Sequence, residues 1–207
     1  VILTSPKMDI EYSTHYAFGI AVNYMFSEEN PPHHPDYWYV NFSREYGITN
    51  LTHVNPEIKV NSGVRSISFE GDLSRVIGFV FPTEPDYCVR VLDEPYNLFT
   101  PFSTFSELEL ELYKISKPDQ FQYNDPLFLP EEIFGAEPDV SWCYYFQKAD
   151  FSRQIEDWDS VIQIFSLIQE QGLGSENEWE YIPYFEAFLQ TGNYAEFEEL
   201  AMELLPN

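Results

Sequence analysis

Residues 156–204 read EDWDSVIQIFSLIQEQGLGSENEWEYIPYFEAFLQTGNYAEFEELAMEL, and the periodicity of this stretch decides half of the fold. Val161, Ile164, Phe165 and Ile168 recur at three and four residues, as one face of a helix requires, behind an opening at Asp157 or Trp158. Gly172 and Gly174 close that helix, because glycine tolerates the left-handed conformation in which helices commonly end. A second pair follows, with Trp179, Ile182, Phe185 and Leu189 on its first member and Tyr194, Phe197, Ala201 and Leu204 on the next. Pro183 fits only in a first turn, where its missing N–H has no intrahelical acceptor to lose. Upstream, Asp139 is placed to cap a helix that lines up Trp142, Phe146, Ala149 and Arg153.

Setting Glu156-Asp157-Trp158 on Gly192-Asn193-Tyr194 gives a shift of 36 residues, which also brings Phe165 onto Ala201 and Ile168 onto Leu204. That period is close to the 34 residues of a tetratricopeptide unit. It predicts that Trp158 and Tyr194 play one part, each wedging its ring between antiparallel helices. About three such units are needed to bury a continuous core, so residues 139–207 are expected to pack on residues 1–138 as one body.

Ahead of the helices the pattern changes. Tyr12, Tyr16, Ile20 and Tyr24 predict a helix over 13–27, broken by Pro31, Pro32 and Pro35. Apolar runs at 64–69, 76–81 and 88–92, separated by Gly71-Asp72 and by a Pro82–Asp86 turn, predict a three-stranded antiparallel meander. Its second strand is apolar on both faces, as a covered central strand should be. Pro95–Pro138 reads as a wrap with one helix near 104–115. The expected fold is therefore α+β: a small antiparallel sheet with helices, then a C-terminal TPR-like pair of helical hairpins.

Composition narrows the function. With 44% hydrophobic and 18% aromatic residues the chain folds rather than remaining an acidic disordered tail. Its 35 acids against 10 bases, a net charge of −25, repel nucleic acid and anionic lipid. Arg153 is the last base, and Glu156 to Glu203 are acids only, which reads as a solvated face or as a surface for a cationic partner. No window is apolar over the roughly 20 residues that span a bilayer. A start at Val1 without Met leads us to expect a longer protein, with room for a membrane segment upstream.

Candidate chemistry is sparse. The sequence has no GxSxG, no phosphate-cradling loop, no GxGxxG and no HExxH, so no catalytic residue, metal site or cofactor is assigned. His33 and His34, between prolines and beside Asp36, could meet a transition metal only through a kink, and otherwise form a surface turn. Glu70, Asp72, Asp93 and Glu94 flank the sheet ends and are the carboxylates a glycosidase could use, although 35 acids place some pair together by chance. Tyr37, Trp38 and Tyr39 offer rings that could stack on sugar faces, making a saccharide ligand the alternative to a protein partner; the same rings suit a core. Asn41-Phe42-Ser43 and Asn50-Leu51-Thr52 match the glycosylation acceptor pattern, which arises freely. Cys88 and Cys143 read either as two small buried hydrophobes or as one structural disulfide.

The runs Arg65–Asp93, Trp142-Cys143-Tyr144-Tyr145-Phe146-Gln147-Lys148-Ala149-Asp150 and Ile155-Glu156-Asp157-Trp158 together resemble the C-terminal soluble region of certain bacterial multi-pass membrane proteins. The membrane halves of those proteins resemble lipid-linked sugar transferases. The likeness covers most of the chain and is strongest over 64–194. It implies an accessory domain on the extracytoplasmic face, tethered through an upstream membrane region, with the parent membrane domain or another protein as partner. It also implies that Cys88 and Cys143 lie where oxidation is permitted. The family has no established catalytic residues here, so none is carried over. At Cys88-Val89 the family has a Pro-Gly turn, a departure that bears on the local turn geometry.

Overall fold

The computed structural model describes residues 2–4, 19, 22–23, 36–41, 56–64, 67–80, 88–92, 107–117, 131–135 and 140–204. The chain is an α+β protein that divides into two compact units, residues 1–81 with 90–137, and residues 82–89 with 138–207. Of the helix expected over 13–27, Gly19, Val22 and Asn23 are described and are helical; the remainder lies outside the described residues.

In the first unit, strands β1 (Ile2–Thr4), β2 (Tyr39–Asn41), β5 (Ile77–Val80) and β6 (Arg90–Val91) form a sheet in the order β2-β1-β5-β6, and β3 (Lys59–Val64) pairs with β4 (Ile67–Asp72) alone. The β1–β2 and β1–β5 pairings are parallel, while β5–β6 and β3–β4 are antiparallel. The expected meander is thus split between two sheets, because the chain after β4 does not form a hairpin. Asp72 turns it by accepting from the Ser74 N–H at 3.1 Å and from the Ser74 hydroxyl, and Leu73 donates back to the Ile58 carbonyl at 3.2 Å. Leu73 and Val76 are then both fully buried, and β5 starts anew. The doubly apolar strand is indeed central, lying between β1 and β6.

Helix α1 (Glu107–Ile115) buries Leu112 and Ile115 in a core with Trp38, Val60, Leu73, Val76 and Leu92. Its end meets the sheet through Ser116, whose hydroxyl accepts from the Gly78 N–H at 2.9 Å, and through Lys117 N–H to the Val76 carbonyl at 2.7 Å. A side chain at Gly78 would lie 3.2 Å from Leu92 and 3.4 Å from Ser116, so this approach is built around glycine. A short helix, α2, covers Glu131–Phe134.

The second unit holds α3 (Trp142–Gln154), α4 (Trp158–Gln171), a 3₁₀ turn (Glu178–Tyr181), α5 (Ile182–Thr191) and α6 (Tyr194–Leu204). Ser141, with extended backbone, caps α3 by accepting from Tyr144 N–H, in place of the expected Asp139, which lies outside the described residues. Asp157 caps α4 as expected, Gly172 ends it at φ 65°, and Pro183 sits in the first turn of α5. Trp142, Phe146, Ala149 and Arg153 are all buried, as their stripe predicts.

Two tight turns set 36 residues apart close alike, as does the end of α4, where Leu173 N–H bonds the Ile168 carbonyl at 3.0 Å, so the closure marks helix ends and not a repeat as such. Asp157 N–H bonds the Ser152 carbonyl at 2.8 Å, and Asn193 N–H bonds the Phe188 carbonyl at 2.8 Å, the six-residue closure that ends a helix. The left-handed residue at the same place is Glu156 (φ 59°) in one turn and Gly192 (φ 77°) in the other. The rings do not follow. Trp158 is partly buried against the core that includes Phe165, Tyr184 and Phe188, while Tyr194 is 62% exposed. The predicted equivalence of Trp158 and Tyr194 is therefore corrected: α4 is covered from both sides in the stack, and the face of α6 carrying Tyr194 has no helix of the described residues outside it.

Candidate functional site

Tyr37, Trp38 and Tyr39 occupy the entry to β2. Asn23 fixes this entry, donating from Nδ2 to the Tyr37 carbonyl at 2.7 Å and accepting from the Tyr37 N–H at 2.9 Å. Trp38 is only 9% exposed and stacks on Phe69 at 5.5 Å, 12° between planes; Tyr39 is 4% exposed and packs with Val22. Tyr37 is partly buried against the same cluster as Tyr39. Two of the three candidates for sugar stacking, Trp38 and Tyr39, spend their faces on the core, because alternation along a strand entry with apolar cover on both sides leaves neither ring outside.

Cys88 and Cys143 form a disulfide spanning 55 residues of sequence, which resolves the two readings of this pair. The strand expected over 88–92 shrinks to Arg90–Val91, since the Cys88 N–H is committed elsewhere. It donates to Oε1 of Glu180 at 2.7 Å. The Asn177 amide donates to the same oxygen at 3.3 Å, and Oε2 accepts from the Trp142 indole N–H at 2.6 Å and from the Ser175 hydroxyl at 2.7 Å. Cys88 Sγ lies 3.3 Å from Oε2, and as an oxidised sulfur it has no proton to give. Glu180 is fully buried with both oxygens filled by donors, so it joins loop, helix and disulfide and has no open side for a substrate. Nothing in the sequence separates it from the other acids; its flanks, Trp179 and Tyr181, are the sole hint of an apolar setting.

A second buried polar group lies along α3. Arg153 Nε donates to Asp150 at 2.9 Å and its Nη1 reaches Glu186 at 3.4 Å, with Gln154 donating to the other Asp150 oxygen at 3.1 Å. The last basic side chain of the sequence is thus spent inside. Tyr184, also fully buried, leaves its hydroxyl without a partner among the described residues, and burial, reinforced by Tyr181, Asp150 and Glu180, pushes its phenol far above the ordinary range.

Outside, the helical unit is acidic. Residues 82–89 and 138–207 carry sixteen acids against Lys148 and Arg153, and Lys148 lies over the Tyr144 ring at 4.1 Å. Within this surface Ile155, Leu167, Leu189, Tyr194 and Met202 are exposed apolar side chains. The direction of the helices groups three of them. Trp142, at the start of α3, packs on Tyr181, which ends the 3₁₀ turn, and on Tyr184 in the first turn of α5, with ring centroids 4.7 Å and 6.0 Å apart. Arg153, at the end of α3, bonds Glu186 further along α5, so α3 and α5 run the same way. The turns that follow them, 155–157 and 192–193, therefore share one end of the unit, and Ile155, Leu189 and Tyr194 flank those turns.

The remaining candidates offer no convergence. Glu70 is exposed on β4, and Asp72 is held by Ser74 and by Lys59 at 3.0 Å. Among the described residues no group of three or more His, Cys, Asp or Glu could hold a metal ion, and no helix is long and apolar enough to cross a membrane. His15, His33, His34, His53, Asp93 and Glu94 lie outside the described residues. Comparison of the chain with protein-family models, with curated proteins and with solved structures finds no match.

Proposed function

We propose that this chain is a non-catalytic docking domain working on the extracytoplasmic face of a bacterial membrane, as the accessory part of a larger membrane protein. The Cys88–Cys143 disulfide carries the reading, because such bonds persist in oxidising compartments and are rare where thiols are kept reduced. The carboxylate best placed for chemistry, Glu180, is sealed among donors, whereas the exterior of the helical unit presents apolar side chains in an acidic field. That distribution favours a surface over a pocket, and a protein partner over a sugar, since Trp38 and Tyr39 are turned inward.

The test is photo-crosslinking in cells that export the full chain. A photoreactive residue replaces Val140, Leu167, Leu189, Tyr194 or Met202 in turn. The reading expects a discrete adduct with an envelope protein from at least one position, together with cysteines that resist alkylation. No protein adduct from any position, or free thiols in the exported chain, overturns it.

A further inference from the structure

Resting on the docking reading, we infer that the end of the helical unit formed by turns 155–157 and 192–193 is the binding surface, and that its occupant is a cationic segment with apolar anchors, contributed by a partner protein. Ile155, Leu189 and Tyr194 are 48%, 45% and 62% exposed, and the helix directions bring them to one end. Tyr194 also occupies the place that, one unit earlier, holds the packed ring of Trp158. The backbone that presents these residues is fixed: both turns close by the same hydrogen bond, so the patch is preformed and costs little ordering on binding.

Charge decides the occupant. Glu156, Asp157 and Glu196 are exposed beside these turns, and residues 154–207 contain no Lys, Arg or His. Arg153, which precedes the first of these turns, is buried with Asp150 and Glu186 and does not face a ligand. A second copy of this chain, equally acidic here, would be repelled, and so would an anionic lipid surface. A segment with Leu, Ile or aromatic side chains flanked by Lys or Arg meets both features, the exposed apolar side chains and the exposed acids beside the same turns.

The full chain is titrated with dye-labelled synthetic peptides: an amphipathic Lys/Leu peptide, its Glu/Leu counterpart and a Lys/Ser peptide of equal charge. The Lys/Leu peptide should bind, and the double variant Leu189→Ser, Tyr194→Ser should weaken it about tenfold or more, as loss of anchor residues does. Leu167→Ser, in the body of α4 and not at either turn, should bind as the parent does. Equal binding of the Lys/Ser peptide, unchanged binding by the double variant, or no binding of the Lys/Leu peptide overturns the inference. Adducts formed from Val140 or Leu167 alone in the crosslinking experiment would overturn it too, while leaving the docking reading in place.

Discussion

The indole N–H of Trp142 donates to Glu180 Oε2 at 2.6 Å, and the residue after that tryptophan, Cys143, is bonded to Cys88, whose own N–H donates to Glu180 Oε1 at 2.7 Å. One carboxylate therefore grips both segments that the disulfide joins. Removing it should be costly: Glu180→Ala strands the Cys88 N–H, the Trp142 indole and the Ser175 hydroxyl, a loss of at least about 3 kcal/mol. Urea denaturation of the oxidised protein measures this. A change below about 1 kcal/mol would mean that water replaces the carboxylate freely.

The disulfide itself closes a loop of 55 residues, for which chain entropy gives about 4 kcal/mol. Cys143→Ser, compared with the parent under oxidising conditions, should lower the unfolding free energy by roughly that amount. The double variant Cys88→Ser, Cys143→Ser should cost no more than the single change. Equal urea midpoints for parent and variants would contradict the estimate.

Glu156 holds a left-handed conformation at the position where the second turn has Gly192. A residue with a Cβ pays about 1 kcal/mol there, so Glu156→Gly should stabilise the chain by about that much and raise Tm by about 2–4 °C. Gly192→Glu, the reverse exchange, should destabilise. Differential scanning calorimetry reads both, and a lower Tm for Glu156→Gly would contradict the prediction.

Among the described residues the buried hydroxyl of Tyr184 has no partner. Tyr184→Phe removes an unsatisfied polar group while keeping the ring that packs on Phe165 at 5.2 Å, so it should be neutral or stabilise by up to about 1 kcal/mol. Tyr184→Ala, which loses the ring, should cost about 3–5 kcal/mol. Destabilisation by Phe above about 1 kcal/mol would reveal a bond partner for the hydroxyl.

Asp72 is held at a pKa of about 2, below its ordinary 3.8, chiefly by the Ser74 hydroxyl and then by Lys59. The unfolded chain takes up the proton first as pH falls, so Asp72 supports the fold above pH 3.8 and that support is lost as pH drops toward 2. The Ser74 amide resonance should titrate with that midpoint, and Asp72→Asn should abolish the titration. A midpoint near 3.8 would mean that the turn does not hold the charge.

Local signals were the most legible in the sequence. Asp157, Gly172 and Pro183 mark helix ends by backbone chemistry that acts within a few residues, and each stands where its chemistry requires. Strand pairing was legible only in part: Ile77–Val80 pairs antiparallel with Arg90–Val91 as expected, but its other partner is Ile2–Thr4, and Ile67–Asp72 pairs with Lys59–Val64 instead. For Tyr37–Tyr39 the sequence leaves both sugar stacking and a core role open, because aromatic composition does not tell a covered ring from a presented one, and Trp38 and Tyr39 take the core role. Glu180 is not readable for the converse reason, since a buried carboxylate is defined by donors at residues 88, 142, 175 and 177, the first two carried by distant segments. The rings of Trp158 and Tyr194 diverge although their turns match, because burial depends on whether another helix follows in the stack.

The exposed end of the helical unit can be watched directly by NMR. As the Lys/Leu peptide is added to the full chain, saturable shifts should appear in the Ile155 and Leu189 methyl groups and the Tyr194 ring, with Leu167 and Val140 unmoved. Shifts centred on Leu167 or Val140, or none at saturating peptide, would contradict the account.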